Sequence, residues 1–131
     1  MKYFSTRNKN LNCSFKEVFL RGLAPDGGLF IPKNIKIYNN SELKELSKLK
    51  YTDLATEIIS SFCFSDLEKS KLKILVEKAY EGFEAKDVVT IKKIGNLNLL
   101  ELYHGPTLAF KDIAMQVIGN IYNEFNSTDN K

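Results

Sequence analysis

Between Leu72 and Phe83 the apolar residues fall at i, i+3, i+4, i+7, i+8 and i+11, namely Leu72, Leu75, Val76, Ala79, Tyr80 and Phe83. Positions three and four apart share one face of an α-helix, so this spacing predicts an amphipathic helix with a stripe to bury. After Phe83 the period changes. Val88 to Ile94 is rich in β-branched residues, Leu97 to Tyr103 is apolar and β-prone, and Gly95-Asn96 lies between them. A two-residue spacer of that kind closes a hairpin. A second helical stripe follows in Ile113, Val117, Ile118, Ile121, Tyr122 and Phe125. The expected fold class is α+β or α/β, with more helix than strand.

The upstream part reads as alternating strand, turn and helix. Lys2 to Thr6 is β-prone and suits an edge strand. Ser14-Phe-Lys-Glu17 has the form of a capping box, in which the serine oxygen accepts a free helical N–H and the glutamate reaches back. Phe15, Val18, Phe19 and Leu23 follow at helical spacing, with Gly22 as a stop. Pro25-Asp26-Gly27-Gly28 is a turn, and Leu29 to Pro32 is extended. Ser41 is read as opening a short helix, Thr52 as capping the next, and Ser65-Asp-Leu-Glu68 as a second capping box before Leu72. Residues 126–131 are polar and expected to fray. The order is strand, helices, hairpin, loop and helix, with no internal repeat or long linker.

Composition narrows the function. With 131 residues and 44% hydrophobic content, the chain can build one modest core. Its net charge of +3 is spread over interleaved acids and bases. Nucleic-acid binders concentrate positive charge in a patch or stripe, so no nucleic-acid partner is expected. Cys13 and Cys63 lie far apart, and there is one histidine, so no metal site is expected. Two reduced, partly buried thiols suit a cytoplasmic protein. No apolar run approaches membrane-spanning length, and the opening residues lack the apolar stretch of a signal peptide.

The stretch from Glu101 to Asp112 carries the chemistry. It joins a strand to a helix, where α/β proteins commonly bind ligands. Gly105 permits close backbone approach, Pro106 stiffens the turn, and Thr107 offers a hydroxyl. Lys111 follows Leu108, Ala109 and Phe110 at the start of the helix. Apolar surroundings and the positive end of the helix dipole both favour the neutral amine that attacks an aldehyde. Asp112 opposes this unless its carboxylate points away to cap the helix, which is the expectation. The chain has seventeen lysines, so position alone makes Lys111 a candidate and no more.

The string HGPTLAFKD, His104 to Asp112, resembles the lysine motif of threonine synthases, which are fold-type-II pyridoxal-phosphate enzymes. GLAPDGGLFIP, Gly22 to Pro32, resembles the signature near their N-terminus, and Tyr3-Phe-Ser-Thr-Arg7 resembles their opening strand. The family often has glycine after that arginine, where this chain has Asn8. The three strings stand in family order. The resemblance implies an N-terminal domain over residues 1–86 and the start of the cofactor domain over residues 87–131. The resemblance implies a lyase using pyridoxal 5'-phosphate as cofactor, held as a Schiff base on Lys111, which would also shuttle protons. It implies O-phospho-L-homoserine as substrate, with phosphate eliminated and water added to give L-threonine.

Four neighbours keep two readings each. His104 either faces cofactor or substrate or satisfies a strand end. Thr107 is either a cofactor-site hydroxyl or a loop hydrogen bond. Arg7 either binds the substrate phosphate or forms a structural ion pair. Asp26 either forms the turn or takes part in catalysis, while Phe110 is read as packing. Family members are several times longer, and no glycine- and Ser/Thr-rich phosphate cradle is found here. The isolated chain is therefore expected to be inactive and a truncation, with an exposed apolar face that predicts self-association or a partner. The alternatives are a threonine-synthase-like phospho-lyase that eliminates without hydration, and a non-catalytic oligomerisation or binding fragment.

Overall fold

A computed structural model describes residues 1–63 and 65–129. The elements run β1 (Tyr3–Ser5), α1 (Phe15–Arg21), β2 (Phe30–Pro32), α2 (Asn40–Leu46), α3 (Tyr51–Cys63), α4 (Lys69–Tyr80), β3 (Thr90–Ile94), β4 (Leu97–Glu101) and α5 (Asp112–Asp129). Two antiparallel pairs, β1 with β2 and β3 with β4, accompany the helices. The fold is a mixture of helices and small sheets.

The predicted stripe is the centre of the molecule. Leu72 and Val76 are wholly buried, and Leu75, Ala79 and Tyr80 nearly so. Against them pack Cys63 at the end of α3 and Val117, Ile121 and Phe125 of α5. Phe15 and Phe19 of α1 meet the Phe125 ring at 6.1 and 5.8 Å between centroids. Edge contacts of this kind add stability beyond the area they bury. One core thus draws on residues from both sides of position 86.

Polar bonds fix how the helices sit. The Tyr80 hydroxyl donates to the Ile113 carbonyl at 2.9 Å, tying the end of α4 to the first turn of α5. Asn120 Nδ2 donates to the Leu75 carbonyl at 3.0 Å, repeating the tie further along. The Tyr3 hydroxyl donates to the Phe62 carbonyl at 2.9 Å and so docks β1 on α3. Burial pushes that phenol up to about 12, with the neighbouring Cys63 and Asp66 adding to the shift.

The Ser14–Glu17 capping box is present, and Gly22 ends α1 at φ 73°. Leu23 lies beyond that stop and is exposed. Several boundaries differ from expectation, among them the end of α4, which stops at Tyr80 and leaves Phe83 outside the helix. Asn39, not Ser41, caps α2, through a reciprocal box with Glu42. Thr52 lies inside α3, where its carbonyl accepts from the Thr56 hydroxyl at 2.8 Å. Ser65 and Glu68 form no box: α4 begins after Glu68 without a side-chain cap. Instead Asp66 Oδ2 accepts from the Phe15 backbone N–H at 2.9 Å, so a contact 51 residues away takes over the local acid. Helix α5 continues to Asp129 rather than fraying from 126, and residues 130 and 131 lie outside the described residues.

The β3–β4 hairpin turns on Gly95 at φ 59° and pairs Ile91 with Leu100 and Ile94 with Leu97. Most of its side chains are exposed, including Ile91 and Leu97, while the last residue, Glu101, is buried. Among the described residues, no helix is long and apolar enough to cross a membrane.

Candidate active site

Strand β4 ends at Glu101, and α5 starts at Asp112, so both ends of the motif loop carry a carboxylate. Both carboxylates are buried, at 4% and 3% exposure. Buried acids persist where hydrogen bonds and charges satisfy them, and each of these is saturated.

Glu101 Oε1 pairs with Lys92 Nζ at 2.7 Å. Its Oε2 accepts from the Thr90 hydroxyl at 2.7 Å and meets His104 Nε2 at 3.1 Å. Lys92 first, and then Thr90, holds this carboxyl down to about 2. The His104 carbonyl also accepts the Glu84 N–H at 3.0 Å, so His104 is fixed by backbone and ring alike. This arrangement is the strand-end satisfaction that the sequence offered as one of two readings. Because the folded pKa lies below the ordinary 4.5, Glu101 stabilises the fold above about pH 4.5. That contribution fades as pH falls toward about 2. Thermal melts from pH 6 to pH 3 are expected to show a smaller loss of Tm in Glu101→Gln than in the unmodified chain. An equal loss would contradict this role.

Asp112 organises the other end. Its Oδ2 accepts from the Thr107 N–H at 2.8 Å and from the Thr107 hydroxyl at 2.9 Å. Its Oδ1 accepts a longer bond, 3.4 Å, from Gln116 Nε2. Burial raises this carboxyl, but the Thr107 and Gln116 bonds outweigh burial and leave it below the usual aspartate value. The carboxylate therefore turns back on the loop instead of capping α5. Thr107 has its hydroxyl in a loop hydrogen bond, the second of its two readings.

Gly105 packs directly on this acid. A Cβ there would stand 2.4 Å from Asp112 Cβ and 2.6 Å from Oδ2, closer than real Cβ contacts come. Leu108 takes φ 62°, a left-handed conformation that a branched residue adopts only under constraint. Strain of that type costs about 1–3 kcal/mol and persists where surrounding bonds over-determine the backbone. Here the Leu108 N–H donates to the Gly105 carbonyl at 3.0 Å, and Asp112 grips Thr107.

Lys111 sits just before α5, and its carbonyl accepts from the Met115 N–H at 2.8 Å. Its side chain is exposed and makes no ion pair among the described residues. It lies at a concavity of about 690 Å³ whose wall includes Val89, Leu100, Leu102, Phe110 and Met115. Lys111 thus stands on the wall of a largely apolar hollow. Phe110, 63% exposed, lines this hollow rather than the core.

Arg7 and Asp26 belong to a different cluster, where β1 meets the glycine turn. The Ser5 hydroxyl, fully buried, donates to Asp26 Oδ1 at 2.7 Å, and the Gly28 N–H donates to the same oxygen at 2.9 Å. These two bonds hold the Asp26 carboxyl below its usual value, so Asp26 acts here as the turn former. Arg7 Nη1 donates to the Asp26 main-chain carbonyl at 3.0 Å, in place of the expected ion pair to a carboxylate. Gly28 has no room for a side chain: a Cβ would lie 2.2 Å from Ser5 Oγ and 2.8 Å from Thr6 Oγ1. Overpacking of this kind costs about 1–3 kcal/mol, so Gly28→Ala is expected to lower stability by that much in urea unfolding. A change below about 0.5 kcal/mol would mean that the turn relaxes freely.

The role of Glu101 is not visible in the sequence, and Asp112 binds Thr107 in place of the expected helix cap. The available signal was their placement at the two ends of an otherwise uncharged loop, interrupted only by Lys111.

Comparison with known proteins decides the family. Residues 2–80 match the family model described as threonine synthase N terminus. The chain belongs to the threonine synthase family. Threonine synthase of Schizosaccharomyces pombe is 39% identical over 95% of this chain and 25% of its own length. That of Methylobacillus glycogenes is 41% identical over 93% of this chain and 28% of its own. The crystal structure of PLP-bound threonine synthase from Brucella melitensis superposes with a TM-score of 0.94 at 31% identity, covering 100% of this chain and 28% of that one. The chain thus spans about a quarter of the length of the curated threonine synthases it matches.

Proposed function

We propose that this chain forms the N-terminal region of an enzyme converting O-phospho-L-homoserine and water to L-threonine and phosphate, with Lys111 as the cofactor lysine. The carrying observation is the exposed Lys111 amine at an apolar hollow, in a chain whose relatives include a PLP-bound threonine synthase. The residues present fit that cofactor's aldehyde, which needs an amine with no acid paired to it: Lys111 makes no ion pair among the described residues. When bound, pyridoxal phosphate supplies the electron sink for the elimination and hydration.

The chain's own residues do the rest. Lys111 Nζ would hold the cofactor and would carry protons at the reacting carbons. Thr107 serves the cofactor site through the loop shape that its bonds to Asp112 impose. His104, held by Glu101, borders the loop on the substrate side. Arg7 keeps exposed N–H donors beyond the one given to Asp26, which supports a substrate-phosphate role. Residues 1–86 act as the N-terminal domain, and residues 87–131 open the cofactor domain of a fold-type-II, cytoplasmic enzyme of threonine biosynthesis. The exposed apolar side chains of β3, β4 and α5 support self-association of the chain on its own.

The test is product analysis with the full-length protein, pyridoxal phosphate and O-phospho-L-homoserine. Threonine and phosphate should form in equal amounts. Phosphate without threonine would replace this reading with the phospho-lyase, and no reaction would favour the non-catalytic fragment.

A further inference from the structure

We propose that Asp112 is a positioning residue for Lys111: by gripping Thr107 it fixes the loop that aims the lysine, and it is withheld from pairing with the amine. The inference rests on the reading of Lys111 as cofactor lysine. Neighbouring residues on a helix project in different directions, so the acid beside Lys111 need not face it. In the structure it does not. Asp112 is 3% exposed and bound to Thr107 and Gln116, while Lys111 is exposed and without an ion pair among the described residues.

Three further observations point the same way. Gly105 is packed so closely on Asp112 that a methyl group would collide with it. Leu108, inside the gripped loop, is held at φ 62°. Tyr80 pins the far side of the same helical turn through the Ile113 carbonyl. Lys111 therefore sits between two anchored points, Thr107 below and Ile113 above. Releasing the lower one should let the loop relax and the lysine lose its aim.

The carboxylate's geometry and its charge can be separated. Asp112→Asn keeps an acceptor oxygen for Thr107 and removes the charge, whereas Asp112→Ala removes both. Thr107→Val keeps the N–H bond and removes the hydroxyl bond. In the full-length protein, pyridoxal phosphate is fixed with borohydride and the fraction on Lys111 is measured by peptide mapping. Hydrogen exchange of the Thr107 amide is followed without cofactor. Asp112→Ala should lower both Lys111 fixation and Thr107 protection at least about tenfold, while Asp112→Asn stays within about threefold of the unmodified protein.

Unchanged fixation and protection in a folded Asp112→Ala would overturn the proposal, as would an asparagine variant no better than alanine. Should Asp112→Ala fail to fold, Thr107→Val decides: a loss of about threefold or more in Lys111 fixation supports the proposal, and no loss overturns it. Fixation on another lysine of the unmodified protein would instead remove the reading of Lys111 on which the proposal rests.

Discussion

Lys111→Ala in the full-length protein is expected to remove turnover of O-phospho-L-homoserine while leaving the fold intact. A positioned acid–base group alone is worth about 10²–10⁴ in rate, and this substitution would also delete the proposed covalent anchor. A loss of at least about a thousandfold is therefore anticipated. The side chain is exposed and pairs with nothing among the described residues, so stability should change by less than about 0.5 kcal/mol. Steady-state assays beside thermal melts check both halves. Lost activity together with a large fall in Tm would point to a structural lysine instead.

Leu72→Ala should have the largest effect on stability. Leu72 is wholly buried, in a cluster that joins α4 to Cys63 of α3 and to Val117, Ile121 and Phe125 of α5. Truncating a buried leucine removes its transfer free energy and leaves a cavity, costing about 2–5 kcal/mol. Most domains have only about 5–15 kcal/mol to lose. The same change should loosen the seating of α5, whose first residue, Asp112, directly follows Lys111. Urea unfolding measures the loss, and a change under about 1 kcal/mol would show that the cluster closes over the gap.

The helices were legible because burial imposes a period on sequence. The Ser14–Glu17 box and the Gly95 turn appear where their spacing placed them, and Leu72 to Tyr80 and Ile113 to Phe125 are helical, whereas Phe83 lies past the end of α4 and reaches the core from the following loop. Local signals failed where distant residues outbid them. Ser65 and Glu68 have the spacing of a box before α4, but the Ser65 hydroxyl donates to Asp66 Oδ2, the same oxygen that accepts the Phe15 N–H. Around Asn39 three possible caps stand in a row, and only the i+3 pairing with Glu42 selects among them.

The site was legible in part for a related reason. A lysine after an apolar run can be seen in the sequence, and the motif strings draw attention to it. A buried carboxylate, however, is written with the same letter as a surface one. Nothing local states that Glu101 would collect Thr90, Lys92 and His104, or that Asp112 would turn back onto Thr107. Likewise, no leucine announces that its backbone is left-handed, as Leu108 shows.

The most direct test of the cofactor assignment is to mix the chain with pyridoxal phosphate, reduce with borohydride, and map the modified lysine, alone and with the downstream region supplied. A single dominant label on Lys111 is expected when the downstream region is supplied, out of seventeen lysines in this chain. Label spread over the surface lysines, or concentrated on a different one, would contradict it.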